Sequence, residues 1–236
     1  MKRLFPFLII LVVLGGAAAA TAWYVKKSSN PPVPGAAGVA GGPTASGSPS
    51  SPTPYSGPIE EGAVPPHAEG PENAPVTLEE FGDFQCPPCG MLHPVLKQMQ
   101  GEFGPKLRLI FREFPLVPTH EHALAAARAA EAAGLQGKFW EMHDILYDNQ
   151  KAWHDVFDIR PVFESYATRI GLDLERYRHD LSSNAVEQRI FLDGKRGHSL
   201  NVNGTPTVFL NGREIPFESL APDKLRVLIH NELNVK

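Results

Sequence analysis

Hydrophobic positions fall into three regimes along this chain, and the changes between them divide the sequence. Residues 4–25 form an apolar stretch without a charged side chain, preceded by Lys2 and Arg3 and followed by Lys26 and Lys27. At about 1.5 Å per residue, such a run spans roughly the 30 Å hydrocarbon core of a bilayer when helical. Trp23 and Tyr24 fall where an aromatic belt belongs. Two readings follow: an uncleaved transmembrane anchor over residues 1–27, or a signal peptide cut at Ala20-Thr21-Ala22. The run is long for a signal core, which favours the anchor, and either reading exports the rest of the chain. From residue 28 to 72, large apolar side chains give way to Pro, Gly, Ser and Ala. That segment buries too little to offset its ordering entropy and reads as a disordered linker.

Beyond residue 73 the periodicities are those of a folded domain. The alternation over residues 76–81 predicts a strand, and Leu92, Val95, Leu96 and Met99 predict one face of a helix ending near Phe103. Residues 107–111 form a second strand, so the strand–helix–strand order implies a parallel pair with a crossover helix. A helical block occupies about 118–200. Its Ala-rich first helix stops near Gly134, and the next carries Phe139, Trp140, Met142, Ile145 and Leu146. A further helix opens at Pro161 and ends at Gly171, and Asp173 caps another. Thr207 to Leu210, the turn pair Asn211-Gly212, and Arg213 to Ile215 read as a hairpin. Pro222 opens a last helix bearing Leu225, Val227, Leu228 and Ile229. The expected domain, residues 73–236, is α/β, with a small mixed sheet interrupted by a helical insertion.

Charge and cysteine content narrow the chemistry. With 22 Lys and Arg against 26 Asp and Glu, the net charge is −4, and no basic run follows the first residues. Nucleic-acid binding, which needs a concentrated basic face, is not expected. The chain has two cysteines, Cys86 and Cys89, which excludes a framework of several structural disulfides. They sit where a strand hands over to a helix. The unpaired N–H groups and positive dipole end there favour a thiolate, so Cys86 is expected to be the nucleophile. Cys89, one turn on, is placed to resolve a mixed disulfide. Pro87 and Pro88 suit a first helical turn but remove two amide donors, which weakens thiolate stabilisation. A zinc site is the competing reading. His93 lies four residues after Cys89, but a fourth ligand would have to be found elsewhere, so no metal and no cofactor are expected.

Two strings carry a family resemblance: Ala74-Pro75-Val76 through Phe81-Gly82-Asp83-Phe84-Gln85-Cys86-Pro87-Pro88-Cys89, and Gly204-Thr205-Pro206-Thr207-Val208-Phe209-Leu210-Asn211-Gly212. Together they resemble the DsbA-like branch of the thioredoxin superfamily, and Gly137-Lys138-Phe139-Trp140-Glu141-Met142-His143 resembles its inserted helical domain. The resemblance implies a thioredoxin fold acting in dithiol–disulfide exchange on protein substrates, with a membrane partner that resets the pair. It implies that Cys86 attacks and Cys89 resolves, and that Pro206 is a cis-proline facing them. Thr205 then touches the sulfurs. Glu80, six residues before Cys86 and on the apolar side of its strand, matches a buried acid able to take the Cys89 proton. Pro94 matches a helix-kinking proline. Phe84, Pro87, Pro88, Thr205 and Pro206 are the expected substrate contacts, although Phe84 and Phe114 also suit a core. His93, His120 and His122 are expected to be exposed. The resemblance favours a disulfide-forming oxidase in the cell envelope of a bacterium, whereas the Thr before Pro206 favours a reductase or isomerase. A non-catalytic metal-binding chaperone on the same scaffold is the reading from a different class.

Overall fold

A computed structural model of the chain describes residues 57–235, so the expected anchor and the linker up to residue 56 lie outside the described residues. The chain runs β1 (His67–Glu69), β2 (Val76–Gly82), α1 (Pro87–Phe103), β3 (Leu107–Glu113), α2 (Ala123–Gly134), α3 (Phe139–Asp148) and α4 (Gln150–Trp153). It continues with α5 (Arg160–Arg169), α6 (Leu174–Asp180), α7 (Asn184–Ser199), β4 (Thr207–Leu210), β5 (Arg213–Ile215) and α8 (Pro222–Asn234). Among the described residues, no helix is long and apolar enough to cross a membrane.

The strands form one mixed sheet in the order β1-β3-β2-β4-β5. The central pair, β2 and β3, is parallel, and every other pair is antiparallel. Only the parallel pair needs a crossover, and α1 supplies it. Register fixes which side chains share a face: Leu78 lies opposite Leu109 and Leu210, and Glu80 opposite Phe111 and Val208. Leu92, Leu96 and Met99 of α1 and Leu225 and Ile229 of α8 pack onto the apolar part of that face. The other face carries Phe81 and Phe209, edge to face at 5.8 Å, together with Phe114.

The helical insertion packs around α2. Ala126, Ala127, Ala129, Ala130, Ala132 and Ala133 are all fully buried there. A helix apolar on every side must be enclosed, and alanine's small side chain lets neighbours approach closely while keeping high helix propensity. Asp173 caps α6, its carboxylate accepting from the Arg176 N–H at 3.0 Å.

The folded region begins earlier than composition implies. Residues 57–72, assigned to the linker, include β1, which pairs antiparallel with β3, and the fully buried Ala63. Charged side chains from the domain hold this segment by its backbone. Arg112 Nη1 donates to the Ala63 carbonyl at 2.8 Å, Arg196 Nη1 to the Glu60 carbonyl at 2.8 Å, and the Ala63 N–H donates to Asp193 at 2.8 Å. Such ordering comes from partners distant in sequence, which a local reading of Pro and Gly content does not register.

Candidate active site

β2 ends at Gly82, and Asp83 begins the turn into α1. Its carboxylate accepts from the Gln85 N–H at 2.8 Å and the Leu116 N–H at 2.9 Å, and lies 2.7 Å from His120 Nδ1. Cys86 is the N-cap of α1, with extended backbone angles, and Pro87 and Pro88 fill the first helical positions, where missing N–H groups cost nothing. Pro94 lies inside the same helix.

Two glutamines stitch this loop to the helical insertion. Gln150 Nε2 donates to the Phe84 carbonyl at 2.7 Å and to the Cys86 carbonyl at 2.8 Å. Gln85 Nε2 donates to the His154 carbonyl at 2.8 Å, while its Oε1 accepts from the His122 N–H. Gly90 makes the first clamp possible, because a Cβ there would lie 2.4 Å from Gln150 Oε1.

Across from the cysteines stands the loop entering β4, where the Thr205–Pro206 peptide bond is cis. The Cys86 thiol donates to the Thr205 carbonyl at 3.3 Å. Both cysteines are free thiols. A hydrogen bond from Cys89 does most to hold the Cys86 pKa down, with help from Thr205, and it falls to about 6 despite opposing burial. In the dithiol the Thr205 hydroxyl is buried without a hydrogen-bond partner, and it can turn its proton to the sulfur once Cys86 ionises. Cys89 is displaced the opposite way: burial, then its bond to Cys86 and the nearby Glu80 carboxylate, push its pKa well up. The pair is therefore polarised, one sulfur ionised near neutrality and the other a firm thiol.

Glu80 lies beneath this pair on the face predicted from the alternation, 2% exposed, and its Oε1 has no hydrogen-bond partner. Burial, supplemented by the charge of Cys86, lifts its pKa to about 8. Its neighbour Glu79 faces the other way and is fully paired, accepting from Arg112 Nε at 2.8 Å and Arg196 Nε at 2.7 Å.

Several expectations are corrected by the geometry. Phe84 is fully buried, stacked on Phe111 at 5.2 Å, and has no surface to offer a substrate. Pro87 is exposed, and Pro88, Thr205 and Pro206 are half-buried, of which Thr205 meets the Cys86 sulfur through its carbonyl. His93 and His122 are buried and His120 is half-buried. The first packs against α3, and the second offers its N–H to Gln85. Sequence reasoning passed over Asp83, Gln85 and Gln150. The first two stood inside the cysteine string, where polar residues between Phe84 and its neighbours were a usable signal; Gln150 had none.

A strand–helix–strand core, one cysteine at the helix N-cap and the other in its first turn, and a cis-proline loop facing them define the arrangement. A thioredoxin profile matches residues 63–231, most of the chain. The chain belongs to the thioredoxin family. Among curated proteins it is similar to the Na(+)/H(+) antiporter NhaA 1 of Salinispora arenicola, with 43% identity over 148 residues. That match covers 62% of this chain and 22% of the relative, so the chain spans about a fifth of the length of the antiporter. Among solved structures, oxidised BdbD from Bacillus subtilis superposes with a TM-score of 0.63 at 22% identity, covering 72% of this chain and 93% of that one. The thiol-disulfide exchange protein alpha-DsbA2 from Wolbachia pipientis gives a TM-score of 0.57 at 22% identity, over 70% and 88%. The thioredoxin family member described here thus has the fold of DsbA-like thiol–disulfide oxidoreductases, as the two sequence strings implied.

Proposed function

We propose that this protein is an extracytoplasmic thiol–disulfide oxidoreductase that forms disulfides in protein substrates through Cys86 and Cys89, tethered to the membrane by residues 1–27. The observation that carries the reading is the polarised sulfur pair beside the Thr205–Pro206 loop. Starting from the disulfide form, a substrate thiolate attacks Cys86 Sγ. The Cys86–Cys89 bond breaks, and its electron pair leaves on Cys89, which takes up a proton. Glu80, protonated near neutrality, is the group beneath Cys89 able to supply that proton. A second substrate thiolate then attacks the substrate sulfur of the mixed disulfide and expels Cys86 as its stabilised thiolate. The substrate has lost two electrons and the pair has gained them. A membrane redox partner resets the pair.

Direction rests on the Cys86 thiolate. Stabilising it stabilises the reduced form, which makes the disulfide the stronger oxidant. Starting at Pro88 and running along α1, a groove of about 280 Å³ is lined by Pro88, Met91, Val95, Phe217 and Leu220, with Met91 and Phe217 exposed. An apolar groove of this kind suits an unfolded segment carrying a cysteine. Equilibration of the pair with glutathione buffers tests the assignment. A reduction potential towards roughly −120 mV supports an oxidase; one at roughly −270 mV makes the protein a reductase instead. Loss of exchange in Cys86→Ser is also required.

A further inference from the structure

One turn along α1 from Cys89, a second set of chemically active side chains meets across the interface with α3. His93 comes from α1, and His143, Asp144 and Asp148 come from α3. His143 Nδ1 lies 3.0 Å from Asp144 Oδ1. His93 Nε2 lies 3.9 Å from the same oxygen and 3.5 Å from Asp148 Oδ1. The 3.9 Å separation is too long for a hydrogen bond, and the 3.5 Å one is at best a weak one. Donor atoms of His93, His143 and Asp144 all lie within 4.8 Å of one another, as ligands around a common centre would, and the exposed Asp148 side chain is beside His93 to complete the set. With metal–ligand bonds of about 2.0–2.1 Å, neighbouring ligand atoms in a tetrahedral site stand roughly 3.4 Å apart.

We propose that His93, His143, Asp144 and Asp148 form a binding site for a late first-row divalent cation, of which Zn²⁺ is the best match, clamping the redox helix to the helical insertion. Two imidazoles and two carboxylates are a donor set suited to zinc, and they leave no role for the cysteine sulfurs. Both imidazoles are at least nine-tenths buried, and a ring of aromatic side chains, including Phe84, Phe111 and Trp140, holds His143 in place. His143 Nδ1 is bonded to Asp144, but its Nε2 is buried with no hydrogen-bond partner, so one nitrogen of this core imidazole is left without a protein partner. Charge points the same way. Two carboxylates here face a single ammonium, that of Lys97, which pairs with Asp144. The Lys97 side chain is 49% exposed and can swing away, and the Asp148 side chain, 68% exposed, leaves an entry from solvent.

The test uses the full chain carrying Cys86→Ser and Cys89→Ser, stripped of metal and titrated with Zn²⁺ by calorimetry, and with Co²⁺ for its visible spectrum. One equivalent of Zn²⁺ should bind with micromolar affinity or better, and Co²⁺ should show d–d bands without sulfur charge transfer. Adding Asp148→Asn should weaken binding about tenfold or more. Adding Lys97→Ala should tighten it several-fold, because a competing cation is gone. Both substitutions are at exposed side chains and leave the core intact. His93→Gln should weaken binding further. The proposal is overturned if the cysteine-free chain binds no Zn²⁺, if Asp148→Asn and His93→Gln bind with unchanged affinity, or if Lys97→Ala weakens binding. The site stands or falls independently of the exchange activity, since the cysteines are absent from the experiment.

Discussion

Glu80 offers the most quantitative check on the chemistry of the pair. Its carboxyl is fully buried and its pKa rises from 4.5 to about 8, with desolvation as the main cause. A group whose folded pKa lies above its unfolded value binds more protons when folded, so folding becomes harder as pH rises between the two values. Below about pH 4.5 the carboxyl is neutral in both states and costs nothing by this route. Above about pH 8 the whole penalty applies. At about 1.36 kcal/mol per pKa unit, the penalty is about 3 kcal/mol at pH 7 and grows by about 4 kcal/mol from pH 5 to pH 9. Glu80→Gln removes the titration while keeping the shape. Its amide has desolvation costs of its own, but these do not vary with pH, so the difference between two pH values isolates the carboxyl. Urea unfolding of the reduced protein should therefore show the variant gaining about 4 kcal/mol on the parent between pH 5 and pH 9. The same variant should turn over a dithiol substrate about tenfold or more slowly, because Cys89 has lost its proton donor. Parallel stability curves for parent and variant would refute the buried-acid argument. A variant with the shifted curve but undiminished turnover would leave Glu80 buried yet outside the reaction.

Three further outcomes follow from the same geometry. Alkylation of the reduced protein by iodoacetamide should titrate at Cys86 with a midpoint of about 6, while Cys89 stays unreactive to well above pH 9, as mass mapping of the labelled peptides would show. Gln150→Ala deletes both clamps on the Phe84 and Cys86 carbonyls, should cost about 1–3 kcal/mol in urea unfolding, and should shift the Cys86 alkylation midpoint. Asp193→Ala removes one of the two carboxylates that meet the buried Arg112 guanidinium, leaving Glu79, and should cost about 1–3 kcal/mol. It should also expose the segment near Ala63 to limited proteolysis, because the Ala63 N–H loses its acceptor.

The sheet was legible because its strands advertise themselves locally. Val76 to Phe81 alternate, and Asn211-Gly212 marks a hairpin between two β-prone runs; both appear where expected. The short β1 was invisible, because His67-Ala68-Glu69 has no strand character of its own and is held by the open edge of β3. Side-chain burial followed the same division. Residues placed by periodicity, such as Leu92 and Leu225, are where the pattern puts them. The histidines are not, because a polar residue's burial depends on partners from other elements: His93 is enclosed by α3, and His122 by the glutamine before the first cysteine. The site was legible in its sulfurs and its proline loop, which two short strings carry. Of its supports, Asp83 and Gln85 stand within the first string, whereas Gln150 comes 61 residues beyond Cys89 and has no local pattern.

Glu79 and Glu80 show why composition alone misjudges such a site. They are adjacent in β2, identical in chemistry, and both almost wholly buried. The pleat sends them to opposite faces. Glu79 meets two guanidinium groups, which outweigh its burial and hold its pKa down, and it anchors the segment containing Glu60 and Ala63 through those same arginines. Glu80 meets no cation, its Oε1 is unpaired, and its pKa rises. A fold that can supply two arginines to one carboxylate could have paired or replaced the other, and an apolar side chain opposite Val208 and Phe111 would cost less. The uncompensated acid lies beneath the two sulfurs, and the compensated one lies on the face away from them.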